Sequence, residues 1–186
     1  MPTPQQLEEE LQRVKYRKRY RRVLRSTVYT LVTVAAVAVL VATLLMPVLQ
    51  IYGGSMTPSL TDGDIVLTLK TTQFETGDVV AFYYNNKILV KRVIAGPGEW
   101  VNIDEEGSVY VNDVLLNEPY ISQKALGECD IELPYQVPDQ RYFVMGDHRE
   151  TSVDSRSTAV GCVAHEYIVG RIAFRVWPLN AFGKVE

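Results

Sequence analysis

The 186-residue sequence has few of the residues that build metal centres or disulfide frameworks. It holds two cysteines, Cys129 and Cys162, and two histidines, His148 and His165, all widely spaced. These separations match no zinc-ligand pattern, and we expect no metal and no other cofactor. The cysteines leave two alternatives open, a disulfide outside the cytoplasm or two small apolar core residues, and we favour the second.

Charge is absent from residues 26–46, a run of 21 residues that ends just before Pro47. A helix of this length rises roughly 31 Å, which matches a hydrocarbon core of about 30 Å. A cleavable signal peptide has a shorter apolar region of about 7–15 residues, and a buried core helix usually has a polar face. We therefore predict a transmembrane helix at 26–46, preceded by a juxtamembrane helix or tail at 5–25.

Basic residues are concentrated before this run and are scarce after it. Residues 1–25 contain eight Lys or Arg against three Glu, and the positive-inside rule keeps such a segment in the cytoplasm. Taking these from the chain's 19 basic and 22 acidic residues leaves 11 and 19 for residues 47–186, a net charge of −8. An acidic domain is unsuited to nucleic acid, so we expect no nucleic-acid partner. The predicted parts are a cytoplasmic basic tail at 1–25, a transmembrane helix at 26–46 in the lipid bilayer, and an extracytoplasmic domain at 47–186.

A helical hydrophobic period is missing after residue 47, where short β-branched and aromatic segments are separated by turn residues. Asn85 and Asn86 fit a two-residue hairpin turn. Residues 117–140 contain three prolines and predict an irregular surface excursion. The fold class is therefore mostly β, with one N-terminal transmembrane helix followed by antiparallel sheets in a partly closed β arrangement. The predicted strands are 64–70, 78–84, 87–95, 99–103, 108–111, 141–145 and 166–177.

Ser55 is the first candidate catalytic residue. It follows Gly53 and Gly54 in a loop, nine positions after the last residue of the uncharged run. A serine hydroxyl is a weak nucleophile unless a neighbouring base removes its proton. Neither His148 nor His165 has an obvious orienting partner in the sequence, and a solvated or otherwise satisfied histidine is the simpler interpretation of each.

Lys91 is a better candidate for the base. It stands beside Arg92 in the middle of a strand at 88–94 that is apolar on both faces. Burial lowers the pKa of a lysine from about 10.4, whereas an arginine stays charged and needs an anionic partner or water. A neutral Lys91 near Ser55 would be a general base of the Ser–Lys kind. The alternative is that both cations reach solvent.

A third block, at 145–156, combines charges that can pair with hydroxyls that can orient. In order, the chain contains Gly54-Ser55-Met56-Thr57-Pro58, then Lys91-Arg92-Val93-Ile94, then Gly146-Asp147-x-Arg149-x-x-Ser152-x-Asp154-Ser155-Arg156. All three lie downstream of one anchor. This arrangement closely resembles type I signal peptidases, the membrane-bound serine proteases that remove signal peptides from exported proteins. The likeness extends from the anchor to Trp177-Pro178-Leu179.

The resemblance implies a role for each block. Ser55 would be the nucleophile, Lys91 the general base, and Ser152 the hydroxyl that helps to orient the lysine ammonium. The backbone N–H of Ser55 would be one oxyanion donor. The second donor is unassigned, because Gly53 stands where some members have serine. The residues that would hold the catalytic core together are Asp147, Arg149, Asp154 and Arg156.

The family's substrates are preproteins, which it cleaves through an acyl-enzyme after small residues one and three before the cut. They bind in an extended conformation, which implies strand addition to exposed edges. The predicted edges are 50–54 and 88–90. The predicted substrate-binding residues are Ile51, Gly53, Gly54, Leu89 and Val90.

Ile51, Leu89 and Val90 would wall a shallow pocket, and Met56 would lie against lipid. The short exported domain and the one visible anchor are like the compact Gram-positive type of the family. His148 stands where the family commonly has Asn. The alternative function is an anchored, non-catalytic β module that binds exported proteins, in which Ser55 has no task.

Overall fold

The computed structural model describes residues 4–185, apart from the side chains of residues 6–9, 11 and 43–45. Helix α1 spans Pro4–Leu45 and ends two residues before Pro47, because the residue before a proline is biased away from helical conformation. The predicted apolar helix is confirmed, and it continues without a break from the basic segment. Its part Gln12–Ala42 is long and apolar enough to cross a membrane, and the described residues there are not buried. That exposure argues against a buried core helix.

A separate compact unit follows the helix and consists mostly of antiparallel strands. This confirms the predicted mostly β fold class. The strands of the described residues are β1 (Val48–Gln50), β2 (Ile65–Leu69), β3 (Val79–Tyr84), β4 (Lys87–Ala95), β5 (Trp100–Ile103), β6 (Val109–Val111), β7 (Val114–Leu115), β8 (Tyr135–Gln136), β9 (Arg141–Met145), β10 (Val163–Ala164), β11 (Ile168–Trp177) and β12 (Gly183–Lys184).

The strands form two sheets. The larger has the order β1-β2-β11-β3-β4-β9-β10, with β12 paired to β11, and the smaller has the order β7-β6-β5-β8. In its pairing with β2, strand β11 carries two register shifts, between Ile172 and Phe174 and between Arg175 and Trp177. A short 3₁₀ helix at His165–Tyr167 replaces the start of the strand predicted at 166–177.

The hairpin of β3 and β4 sets the position of Lys91. Asn85 and Asn86 have φ of 43° and 62°, the left-handed conformation that a tight hairpin turn requires and that Asn tolerates. The predicted turn is confirmed. Pairing of Tyr84 with Lys87 continues in register along the hairpin until Lys91 lies opposite Val80.

Buried apolar side chains form three clusters in the β domain, and β4 contributes to each of them. Ile94 belongs to one, Val93 to the second, and the partly buried Val90 packs against the third. Burying an aliphatic side chain of this size contributes about 1.5–3 kcal/mol. The strand is therefore held inside the domain, together with the two cations at its centre.

Two expectations about single residues have different outcomes. Met56 is 1% exposed and packs in the third cluster, so the prediction that it lies against lipid is wrong. Both cysteines are free, which favours the core-residue alternative, and Cys162 lies in the first cluster. Burial raises the pKa of the Cys162 thiol to about 11, so this sulfur is an apolar packing group rather than a nucleophile.

Candidate active site

Ser55 and Lys91 meet in the folded domain although 36 positions separate them, with Lys91 Nζ 2.7 Å from Ser55 Oγ. Ser55 lies in the loop between β1 and β2 and is half-buried, and Lys91 lies in the middle of β4 and is 3% exposed. An amine in direct contact with a hydroxyl is the geometry that a general base needs.

The surroundings of Lys91 favour its neutral form. Burial lowers the pKa of Lys91 from 10.5 to about 8, because desolvation penalises the ammonium. The charges of Asp154 and Asp147 oppose this shift, and that of Arg156 adds to it. Within the described residues, no carboxylate accepts a hydrogen bond from Nζ. A substantial fraction of Lys91 is thus neutral near pH 8.

Ser152 lies close to the pair. Its hydroxyl is buried and has no hydrogen-bond partner within the described residues. The backbone of His148 bridges the two loops, since its N–H donates to the Ser55 carbonyl at 3.1 Å and its carbonyl accepts the Ser152 N–H at 3.1 Å. A Cβ at Gly146 would collide with Ser152 Oγ and lie 2.5 Å from the Ser55 carbonyl oxygen. Only glycine at position 146 lets the loops approach this closely.

Arg92 and Asp147 form a buried bidentate ion pair. Arg92 Nη2 lies 2.7 Å from Asp147 Oδ2, and its Nε lies 2.9 Å from Oδ1. Arg92 also donates to the carbonyl of Gly77 at 2.7 Å and to Ser59 Oγ at 3.2 Å. The alternative that both cations of β4 reach solvent is wrong, since Arg92 is 1% exposed.

Arg156 and Asp154 form a second buried pair on the loop that follows β9. Arg156 Nη2 lies 2.8 Å from Asp154 Oδ2, and Arg156 Nη1 donates to the Leu126 carbonyl at 2.6 Å. Asp154 Oδ2 also accepts the Gly146 N–H at 2.9 Å. Because a single unpaired charge here would be costly, these bonds hold the loop beside Lys91 in one conformation.

Glu118 and Tyr120 also belong to this charged core, and the sequence interpretation missed both. Glu118 makes a buried bidentate ion pair with Arg149, and the Tyr120 ring lies 3.8 Å from Arg92 Cζ. The prediction of a surface excursion at 117–140 is therefore wrong for this part of it. The sequence did contain an indication of this carboxylate. The recognised blocks hold three arginines, Arg92, Arg149 and Arg156, but only two aspartates were assigned to pair with them, so one arginine still needed a carboxylate partner.

A groove of about 670 Å³ leads to Ser55, and residues of β1, of the following loop and of β4 line it. Ile51, Gly53, Leu89 and Val90 are among the lining residues, and Gly54 is not. Two backbone edges face this groove unpaired within the described part of the chain. Strand β1 pairs with β2 alone, and residues 87–90 pair with β3 alone, because the pairing of β4 with β9 begins at Arg92.

The side chains of the two histidines contact residues other than Ser55 and Lys91. His148 Nδ1 is 2.9 Å from Thr151 Oγ1. His165 packs against the rings of Phe74 and Tyr142, with centroids 5.6 Å and 6.1 Å away. Among the side chains that the structure describes, no group of three His, Cys, Asp or Glu is arranged to hold a metal ion.

A serine hydroxyl beside a buried amine, at the end of a groove with open strand edges, is the arrangement of a serine protease. Comparison with known proteins gives the family. Residues 24–177 match the family described as signal peptidase, peptidase S26. The chain belongs to this family of serine proteases, and the predicted class of enzyme is confirmed.

Individual relatives agree with the family match. Signal peptidase I of Bacillus licheniformis is 31% identical over 172 residues, which cover 86% of this chain and 91% of that protein. Signal peptidase IB of Staphylococcus aureus is 37% identical over 152 residues, covering 71% and 78%. A crystal structure of a signal peptidase I from Enterococcus faecalis is 29% identical and covers 53% of this chain and 96% of that one, with a TM-score of 0.44.

Proposed function

We propose that this protein cleaves signal peptides from exported preproteins after a small-x-small site, with Ser55 as nucleophile and Lys91 as general base. One observation carries the assignment of roles: Nζ of a lysine that is 3% exposed lies 2.7 Å from Ser55 Oγ. Within the described residues, no other titratable side chain forms a hydrogen bond with that hydroxyl.

The proposed reaction has two stages. Neutral Lys91 takes the Ser55 hydroxyl proton while Oγ attacks the scissile carbonyl carbon, and the lysine ammonium then returns a proton to the departing amine. Lys91 next takes a proton from water while the water oxygen attacks the acyl carbon. As the bond between that carbon and Ser55 Oγ breaks, the ammonium returns the proton to Oγ, which restores the serine and releases the second product. The Ser55 N–H donates no hydrogen bond within the described chain, so it is available to the oxyanion.

The supporting residues hold this pair in place. Asp147 pairs with Arg92, the neighbour of Lys91, and Asp154 pairs with Arg156 on the loop that presents Ser152. The unpartnered Ser152 hydroxyl is free to accept a hydrogen bond from the Lys91 ammonium when it forms. This ammonium is the form that burial disfavours, so a hydrogen bond to it stabilises a stage of the reaction.

An extended substrate would lie in the groove between the β1 edge and residues 88–90, adding its backbone hydrogen bonds to both. Ile51, Leu89 and Val90 present apolar walls that leave room for small side chains. The buried Met56 also lines the groove and limits its depth.

The anchor would bring enzyme and substrate together. We assign residues 1–25 to the cytoplasm, 26–46 to the bilayer and 47–186 to the outer face as the catalytic domain, because the basic residues precede the apolar run. A preprotein held in the same membrane then meets the site at a raised effective concentration.

The test uses the full-length protein in detergent with a preprotein that carries an Ala-x-Ala site, followed by mass spectrometry of the products. Ser55→Ala and Lys91→Ala should each abolish cleavage and leave the circular dichroism spectrum unchanged. Ser122→Ala and Lys70→Ala, at exposed positions, are the matched controls. Cleavage by either active-site variant would disprove the proposal, and binding without cleavage by the unaltered protein would favour the non-catalytic β module.

A further inference from the structure

Arg92 lies next to the proposed base, and the Tyr120 ring covers one face of its guanidinium. Asp147, Ser59 and Gly77 occupy the hydrogen-bonding groups in the guanidinium plane. Arg92 Cζ lies over the Tyr120 ring, 3.8 Å from the ring centroid. Aromatic stacking attracts the cation and also keeps water away from it.

Glu118 connects this aromatic contact to the loop that carries Ser152. The Tyr120 hydroxyl donates to Glu118 Oε1 at 3.1 Å, and both Glu118 oxygens accept from Arg149. The side chains of Arg149 and Glu118 are 1% and 3% exposed. Arg149 Nε in turn donates to the Gly146 carbonyl at 3.0 Å.

Gly146 is one of two points at which this loop approaches Ser55, the other being the His148 N–H. Position 146 packs against Ser152 Oγ and the Ser55 carbonyl so closely that a Cβ would collide there. A continuous chain of contacts thus runs from Arg92, beside the base, through Tyr120 and Glu118 to the carbonyl of Gly146. None of these contacts is predicted by the spacing of the recognised blocks.

We propose that Glu118 and Tyr120 form a clasp that positions the Ser55–Lys91 pair by tying Arg92 of β4 to Arg149 of the Ser152 loop. Neither residue lines the groove, so both act through other residues and not on the substrate. The inference rests on the proposed function, since it assigns a task only if Lys91 is the base.

The clasp has a consequence for the charge of Lys91. The charged groups that act on Lys91 are Asp154, Arg156 and Asp147 of the facing loop, while Arg92 follows Lys91 in the strand and points to its other face. Desolvation is the largest cause of the lowered Lys91 pKa. If the strand and the loop separate, water reaches Nζ, the pKa rises towards that of a free lysine, and less base is neutral at a given pH.

The test measures kcat and KM against pH for full-length Tyr120→Leu in detergent, using a preprotein with an Ala-x-Ala site. We expect kcat at pH 7 to fall by about tenfold with little change in KM, and the acid limb of the kcat profile to move to higher pH by about one unit. Tyr120→Phe keeps the ring over Arg92 but removes the hydroxyl that donates to Glu118. It should therefore cause a smaller fall in kcat, about threefold, and move the acid limb by about half a unit in the same direction. Tyr110→Leu, in the smaller sheet, is the matched control and should leave the profile unchanged.

Thermal unfolding of each variant shows whether a loss of activity is caused by a loss of stability or by misplacement of the Ser55–Lys91 pair. A Tyr120→Leu profile whose acid limb stays in place, with any loss matched by Tyr110→Leu, would overturn the clasp. If Tyr120→Leu does not fold, Tyr120→Phe decides, because it keeps the ring and removes only the hydroxyl that donates to Glu118. It too must move the acid limb.

The same assay separates failure of the clasp from failure of the proposed function. Lys91→Ala is measured alongside: if it still cleaves, Lys91 is not the base and the clasp loses its task as well. If Lys91→Ala is inactive and Tyr120→Leu behaves as the unaltered protein does, the clasp alone is wrong.

Discussion

The two faces of β4 each carry a buried basic side chain, and the hydrogen-bond partners of these two side chains differ in kind. On one face, Arg92 makes a bidentate ion pair with Asp147 and lies under the Tyr120 ring. On the other, Lys91 is equally buried, yet its hydrogen-bond partner is the Ser55 hydroxyl at 2.7 Å. Two basic side chains at adjacent positions thus have different hydrogen-bond partners: a carboxylate for Arg92 and a hydroxyl for Lys91.

The difference follows from whether each side chain can lose its proton. A guanidinium keeps its proton in any protein environment, so burying it requires an anionic partner. An amine can lose its proton, and without a directly bonded carboxylate the cost of burial lowers its pKa instead. One face of the strand therefore stabilises the domain, and the other carries the amine that we propose as the base.

Lys91→Arg tests the comparison most severely, because it places a permanently charged group on the catalytic face. We expect cleavage to fall by about 10³-fold or more, the scale of a lost general base. Single-turnover cleavage of a preprotein is the measurement, and Lys70→Arg at an exposed position is the control. Activity within tenfold of the unaltered protein would show that a neutral base is not needed at position 91.

Asp147→Leu removes the anion from the structural face and leaves Arg92 buried without its carboxylate. The free energy of unfolding should fall by about 3–5 kcal/mol, and the double variant Arg92→Met with Asp147→Leu should recover most of that loss. Urea unfolding of the full-length protein in detergent measures both.

The exposed pair of Arg171 and Asp78 provides the contrast for this prediction, since the Arg171 side chain is 45% exposed. Arg171→Met should cost no more than about 1 kcal/mol. If Asp147→Leu costs as little as Arg171→Met, the structural face does not depend on its ion pair.

Lys91→Met tests the comparison of the two buried cations by measuring stability rather than activity. The folded-state pKa of about 8 lies below the value of 10.5 for an unperturbed lysine, so between these pH values Lys91 binds more protons in the unfolded chain than in the folded one. The contribution of Lys91 to stability should therefore rise with pH across this window, and the penalty for charging Lys91 is present in full below about pH 8. Cys162, whose pKa burial raises to about 11, contributes in the opposite direction in both proteins, so the difference between them isolates Lys91.

We expect Lys91→Met to be more stable than the unaltered protein by about 2 kcal/mol at pH 7 and to lose this pH dependence. Urea midpoints at pH 7 and pH 10.5 measure the effect, with Lys70→Met as the control. Equal pH dependence in both proteins would mean that the Lys91 pKa is not lowered by folding.

Local features of the fold could be predicted from the sequence where a local cause exists. The apolar run, the proline after it and the paired asparagines each act within a few residues, and the helix and the β3–β4 hairpin follow from them. The order of the larger sheet has no such cause. Strand β11 lies between β2 and β3, and nothing in the intervening residues indicates that a distant strand separates them.

The site divides in the same way. Ser55 and Lys91 were predicted because a glycine loop and an apolar strand are visible in the sequence, whereas Glu118 and Tyr120 lie in a segment without periodicity. Met56 was placed wrongly because no residue near it in the sequence indicates that its side chain packs inside the β domain. A turn in which the Leu60 N–H donates to the Met56 carbonyl at 2.8 Å accompanies the burial of the Met56 side chain among apolar residues.

The sequence by itself determined that the chain has one apolar span, a β domain, a serine on a glycine loop and a lysine in a strand that is apolar on both faces. It did not determine which of the two cations on that strand would receive a carboxylate. That was decided by packing, which brings Asp147 to Arg92 across 55 positions and Ser55 to Lys91 across 36. Proton affinity depends on burial and on distances through space, and only the tertiary structure sets those distances.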